Sequence, residues 1–209
     1  MSVQVSIFGK LPAHADYVSV NLVNAIEVQL HQWISTTIFE TQTHFGERDW
    51  LDAYLNITPL CFLLNLSCRE KHSLFGVMVP SVDRVGRYFP LLSGVYLNDI
   101  NESKPFDKEL LTIIGSAIVE EQVKAMHDHY TVEHLHDNII NLQALKYKKD
   151  SDFITSTYSS LASANGNLVK DPISFSYWWE LDNPNQMIET MKLPPSNYYQ
   201  SILSRGLKA

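Results

Sequence analysis

Cysteine is scarce: the 209 residues hold two, Cys61 and Cys68. Two thiols seven apart make neither a disulfide framework nor a CxxC metal pair. They read as free, core-type cysteines of a reducing compartment, and apolar surroundings raise a thiol's pKa, the wrong direction for a nucleophile. Positive charge is short as well, with 16 Lys and Arg against 23 Asp and Glu and a net charge of −7. A nucleic-acid binder needs cations to replace the counterions on phosphate, so that class is excluded. Residues 99–137 carry nine acids and three lysines, which makes polyanions and anionic membranes poor partners. The longest apolar runs, Leu60–Leu66 and Ile113–Val119, are far short of a bilayer span, so no membrane insertion is expected. Residues 1–10 have no basic region ahead of an apolar one, so no secretory signal is expected there and the protein reads as cytoplasmic. Catalytic templates are missing too: no G-x-S-x-G elbow surrounds Ser81, and no Walker lysine or G-x-G-x-x-G occurs.

What is present is enough apolar sequence, 45%, to fill a core, and 1–209 reads as one domain. Val3, Val5 and Ile7 alternate with polar residues as a half-buried strand that ends at Gly9. A helix follows from about Leu22, with Ile26, Leu30, Trp33 and Ile38 on one face, broken by Gly46. A shorter helical piece carries Trp50, Leu51, Tyr54 and Leu55. Leu60–Leu66 and Leu74–Val79 read as strands buried on both faces, and Tyr88–Leu97 follows as a third apolar strand segment, with Pro90 at its start or on an edge. Asp107 can cap a long helix whose core face is Leu110, Ile113, Ile114, Ala117, Ile118, Val123 and Met126. Residues 148–171 read as surface loop around a modest helix near Phe153–Ala162. Ile173–Trp178 alternates as a late strand, and Met187–Met191 and Pro195–Leu203 read as two short helical pieces. Interleaved strands and helices, with strands covered on both faces, predict an α/β fold: a single-domain three-layer α/β/α sandwich with a mixed sheet.

Two polar loops stand out. In Pro80-Ser-Val-Asp-Arg-Val-Gly-Arg87, Ser81, Asp83, Arg84 and Arg87 sit between two apolar strands, and Gly86 permits a tight reversal. Asp83 can accept from either arginine and leave the other for an anionic partner, or it can form a purely structural pair that closes the loop. In Gly9-Lys-Leu-Pro-Ala-His-Ala-Asp-Tyr17, Asp16 can cap the next helix or pair with an arginine of the first loop; capping is the simpler reading. If both loops share one end of the sheet, they form a single polar patch.

A histidine-rich run, His127 to Asp137, raises a metal reading. Placed on one helix, His127 and His134 share a face, and His129, Glu133 and His136 share another; Glu133 and His136 have the spacing of bundle metal sites. HExxH, a second matching motif and cysteine ligands are all missing, and the stretch is strongly acidic, so a solvated polar face is the simpler reading. Trp178-Trp179 reads as buried aromatic core beside the late strand.

Phe8-Gly-Lys-Leu-Pro12, Asp16-Tyr-Val18, Trp33, Trp50-x-x-x-Tyr-Leu55, Gly76 to Leu91 and Trp178-Trp179 resemble the TagF family, accessory proteins of bacterial type VI secretion systems. This chain has Ala15-Asp16-Tyr17 where the family usually has Gly-Asp-Phe. The resemblance implies an α/β/α sandwich without catalytic activity or cofactor. It also implies post-translational restraint of secretion, through binding the system's forkhead-associated scaffold protein in the cytoplasm. The family's signature positions match Lys10, Pro12, Asp16, Ser81, Asp83, Arg84, Gly86 and Arg87. Arg84 and Arg87 are the better candidates for partner contact, since arginine is favoured at interface hot spots. The competing reading is a hydrolase using Ser81 or a metal at the 127–137 histidines.

Overall fold

The computed structural model describes residues 3–66, 72–98, 107–146 and 172–207. Among the described residues seven strands form one sheet: β1 (Val5–Gly9), β2 (Val18–Val20), β3 (Leu60–Leu66), β4 (His72–Val79), β5 (Leu91–Asn98), β6 (Ile173–Glu180) and β7 (Ile188–Met191). Their order across the sheet is β2-β1-β5-β4-β3-β6-β7. Strand pleating sends alternate side chains to opposite faces. Leu60, Phe62 and Leu64 of β3 therefore enter one core while Cys61 and Leu63 enter the other. Helices α1 (Asn24–Phe45), α2 (Glu47–Leu55) and α6 (Ser196–Gly206) cover the first face. Helices α3 (Lys108–His127), α4 (Val132–Ile140) and the short α5 (Gln143–Lys146) cover the second.

The expected α/β class and its three layers hold. One detail is corrected: every described pairing is antiparallel, so the sheet is not mixed. The near-continuous apolar strands reflect helices on both faces, and burial of that kind does not fix direction. Direction follows from the connections, since β3, β4 and β5 run as a meander and β1 pairs antiparallel with β5.

The helices were legible from spacing to different degrees. In α1, Ile26, Leu30, Ile34, Thr37 and Thr41 form the buried stripe, and Gly46 ends the helix as expected. Asp107 caps α3 by accepting from the Leu110 N–H. The buried face of α3 is Leu111, Ile114, Gly115, Ile118, Gln122 and Ala125. Ile113 and Val123, read as core, are about half exposed; the apolar residues run most of the way round this helix, so spacing alone did not fix its rotation. Ile188–Met191, read as helical, is edge strand β7, its register on β6 fixed by pairs from Phe175 with Met191 to Trp178 with Ile188. Four residues are too few for either period to register. The short strand β2 lies between the Gly9–Tyr17 loop and the helix expected from about Leu22, and its three residues carry no periodicity that marks them as strand. Cys68 and the helix expected near 153–162 lie outside the described residues.

Below the first face, the buried Trp50 indole N–H donates to Thr41 Oγ1 at 2.9 Å, and Thr41 Oγ1 donates to the Thr37 carbonyl at 2.8 Å. The pair ties α2 to α1 across their glycine joint. Thr41→Val keeps the shape but leaves the indole N–H without that acceptor, and an unsatisfied buried donor costs about 1–3 kcal/mol. Urea unfolding followed by tryptophan fluorescence should show an unfolding free energy lower by that amount, read as a lower midpoint at unchanged slope.

Candidate functional site

The two polar loops meet. Gly9 closes β1 with φ +129°, and a Cβ there would lie 2.1 Å from the Pro90 carbonyl oxygen, so only glycine lets the 9–17 loop press against the start of β5. Ser81 Oγ donates to the Lys10 carbonyl at 2.8 Å, the Arg84 N–H donates to the His14 carbonyl at 2.9 Å, and the Arg87 guanidinium donates to the Ala15 carbonyl. One end of the sheet thus carries a single polar patch, as the sequence suggested.

Asp83 is its centre. Its side chain is fully buried. Oδ2 pairs with Lys10 Nζ at 2.9 Å and with Arg87 Nε at 2.7 Å. Oδ1 accepts the backbone N–H groups of Val85 at 3.0 Å and Arg87 at 2.9 Å. Lys10 is itself buried, its ammonium 5.0 Å from the centre of the Tyr17 ring. The Asp83 N–H donates to the Arg87 carbonyl, Val82 bridges Tyr88, and Gly86 adopts φ +88°, so residues 83–87 form a tight turn wrapped around a carboxylate. Burial pushes the Asp83 carboxyl upward. The Arg87 N–H, the Lys10 ammonium, the Arg87 guanidinium and the Val85 N–H together outweigh it and hold the group well below the usual carboxylate range.

The matching residues therefore divide by what they touch. Lys10, Ser81 and Asp83 are interior; Pro12 is half-buried in the turn between β1 and β2. Gly86 shapes the tip. Arg87 spends its guanidinium on Asp83 and Ala15. Arg84 is exposed, and its guanidinium has no hydrogen bond or ion pair among the described residues. Asp16 does not cap α1: Oδ1 accepts the Tyr17 N–H at 2.8 Å, and strand β2 intervenes before the helix, whose N-cap is Val23. A local turn satisfied the carboxylate before the helix began.

Two residues central to the patch were not singled out for it. Tyr54 on α2 donates to the Ser81 carbonyl at 3.0 Å and accepts the Ser81 N–H at 2.9 Å; in the sequence it is a helix-face aromatic and nothing marks this longer reach. His14 accepts the Val132 N–H through Nε2 at 3.0 Å, tying the loop to the start of α4. The histidine run is split by the turn at 128–131. His127 closes α3 beside Asp128, and His134 lies on α4, stacked on Tyr130 at 4.0 Å. They are thus not on one helix face, and among the described residues no group of three or more potential metal ligands forms. Ser81 Oγ meets the Lys10 carbonyl, not its ammonium, so no Ser–Lys dyad is assembled. Burial pushes the Cys61 thiol up to about 12. Trp178 and Trp179 are both buried, against Trp33 and Phe62 on one face and Phe75 on the other.

The sandwich and its buried ion knot define an α/β domain in which two polar loops close around one carboxylate at an end of the sheet. The family model of the TagF N-terminal domain, type VI secretion system-associated, matches residues 6–142, a span that includes both polar loops. The chain belongs to that family. The crystal structure of PA0076 from Pseudomonas aeruginosa is similar in fold, with a TM-score of 0.61 at 21% identity, over 98% of this chain and 94% of that one. No curated protein matches the chain.

Asp83→Asn leaves Lys10 buried without its counter-charge, and breaking a buried pair on one side costs about 3–5 kcal/mol. Because the folded carboxyl lies below its unfolded value of about 3.9, the knot's contribution is complete above that value and is lost as pH falls through the folded one. Urea titrations should show the wild-type advantage over Asp83→Asn in full at neutral pH and shrinking as the pH is lowered toward the acid limit.

Proposed function

We propose that this chain is a non-catalytic regulatory protein of a type VI secretion system that restrains secretion by binding the system's forkhead-associated scaffold protein in the cytoplasm. The single observation that carries the reading is the division of labour inside the signature loop. Lys10, Ser81, Asp83 and Arg87 are consumed in holding the turn, while Arg84 and the 62%-exposed Val85 project from it. A site for bond-making chemistry keeps its polar groups open to substrate; here they are closed on one another. A docking element instead needs a fixed shape with a free cation and an apolar contact at its tip, which lowers the entropy lost on association.

Membership in a secretion-associated family supports the setting, and the family resemblance supplies the forkhead-associated partner. In an otherwise acidic chain, an exposed arginine on a rigid turn also favours a complementary acidic patch on that partner.

Calorimetric titration of the scaffold protein into the purified chain tests this. Arg84→Ala should weaken binding by about tenfold or more, as loss of a hot-spot arginine does, with the thermal unfolding midpoint unchanged. Arg87→Ala should lower that midpoint first, since it removes a ligand of Asp83. Wild-type protein that fails to bind the scaffold would end the partner assignment.

A further inference from the structure

Beside the knot, an open groove of about 230 Å³ lies between the 9–17 loop and α1, lined by Phe8, Tyr17, Glu27, Val28, His31 and Gln32. Its aromatic side is ordered by contact. Tyr17 meets His31 edge-to-face at 5.0 Å and Phe89 at 4.9 Å, and His31 stacks on Phe89 at 5.7 Å. Tyr17 and Val28 remain 40% and 46% exposed. At the rim, Glu27 is held by the Ser19 hydroxyl, which donates to Oε2 at 2.6 Å, and no cation pairs with Glu27 among the described residues.

We propose that this groove receives a basic side chain, an arginine on an extended segment of a partner protein, with Tyr17 and His31 as its π surfaces and Glu27 as its counter-ion. Three observations converge on that occupant. The volume is below that of typical small-molecule pockets and suits one side chain. Aromatic faces attract a planar guanidinium. A positioned carboxylate without a cation selects positive over neutral or negative groups. The nearby cations do not oppose this: Lys10 and Arg87 lie on Asp83, and the Asp16 carboxylate also acts on Tyr17, so the two positive charges there are matched by two negative ones. Tyr17 forms a wall of the groove and covers Lys10, so the groove adjoins the Arg84 turn and the two sites can be read by one partner. The proposal extends the docking reading above, but its test uses no scaffold protein, and the two can fail separately.

The test is 1H–15N NMR titration of the chain with the capped tripeptide acetyl-Gly-Arg-Gly-amide, beside its citrulline and phenylalanine counterparts. Citrulline keeps the shape and removes the charge. Saturable shifts at Tyr17, Val28 and His31 with the arginine peptide, about tenfold weaker with citrulline and weakened equally by Glu27→Gln, are expected. Glu27→Gln still accepts from Ser19, so the spectrum elsewhere should be unchanged. Equal or stronger saturation by the phenylalanine peptide would overturn the cation assignment, as would no saturable shift with any of the three. Concentration-dependent shifts of the same residues in peptide-free protein would assign the groove to a second copy of the chain and also overturn it.

Discussion

A carboxylate with no contact with water cannot stay charged unless its surroundings replace the water, and in this domain the surroundings that do so come from both polar loops. Asp83 takes an ammonium from Lys10 at the end of β1 and a guanidinium plus two N–H groups from its own turn. The Lys10 ammonium reaches the carboxylate only if the turn and the end of β1 sit together, so the ion knot and the register of the sheet enforce one another. Ser81 adds a second stitch to the Lys10 carbonyl, and Tyr54 brings α2 into the same arrangement. Buried ion pairs are poor sources of net stability when set against apolar packing. What this one supplies is a single geometry for residues 83–87.

That geometry explains why a long polar string interrupts two apolar strands. β4 and β5 pair along their length, from His72 with Asn98 to Val79 with Leu91, and could be joined by a much shorter hairpin. The eleven residues 80–90 between them include Phe89, which turns inward to the first-face core, while Val82 and Tyr88 re-pair to pinch the tip. The loop is anchored at its base by apolar contact, at its middle by charge, and at its tip by a glycine at positive φ. Its free groups, Arg84 and Val85, belong to a structure with little freedom of its own to lose.

The sequence made the large features of the fold readable and the small ones not. The near-continuous apolar runs at Leu60–Leu66 and Leu74–Val79 reported strands covered on both faces because successive residues there enter opposite cores. Asp107 reported a helix start because its side chain performs the cap itself. Reading failed where the deciding contact is remote in the chain. Nothing local at Asp16 reveals that a three-residue strand follows it, and nothing at Ile113 reveals which way α3 is rolled on the sheet. The candidate site was readable as residue types and as two loops able to meet. Which arginine would be consumed was not, since Arg84 and Arg87 look alike until the turn is closed and Arg87, four residues beyond Asp83, falls back onto it.

The links made by His14 carry the same logic outward. Its carbonyl fixes Arg84's backbone from one side, and its ring caps the first N–H of α4 from the other. The second-face helices are thereby connected to the exposed turn through one residue, as the first-face helices are through Tyr54. The turn that carries Arg84 is thus tied to both layers of the sandwich, and a loop held along its length has less conformational freedom than one anchored at its ends alone.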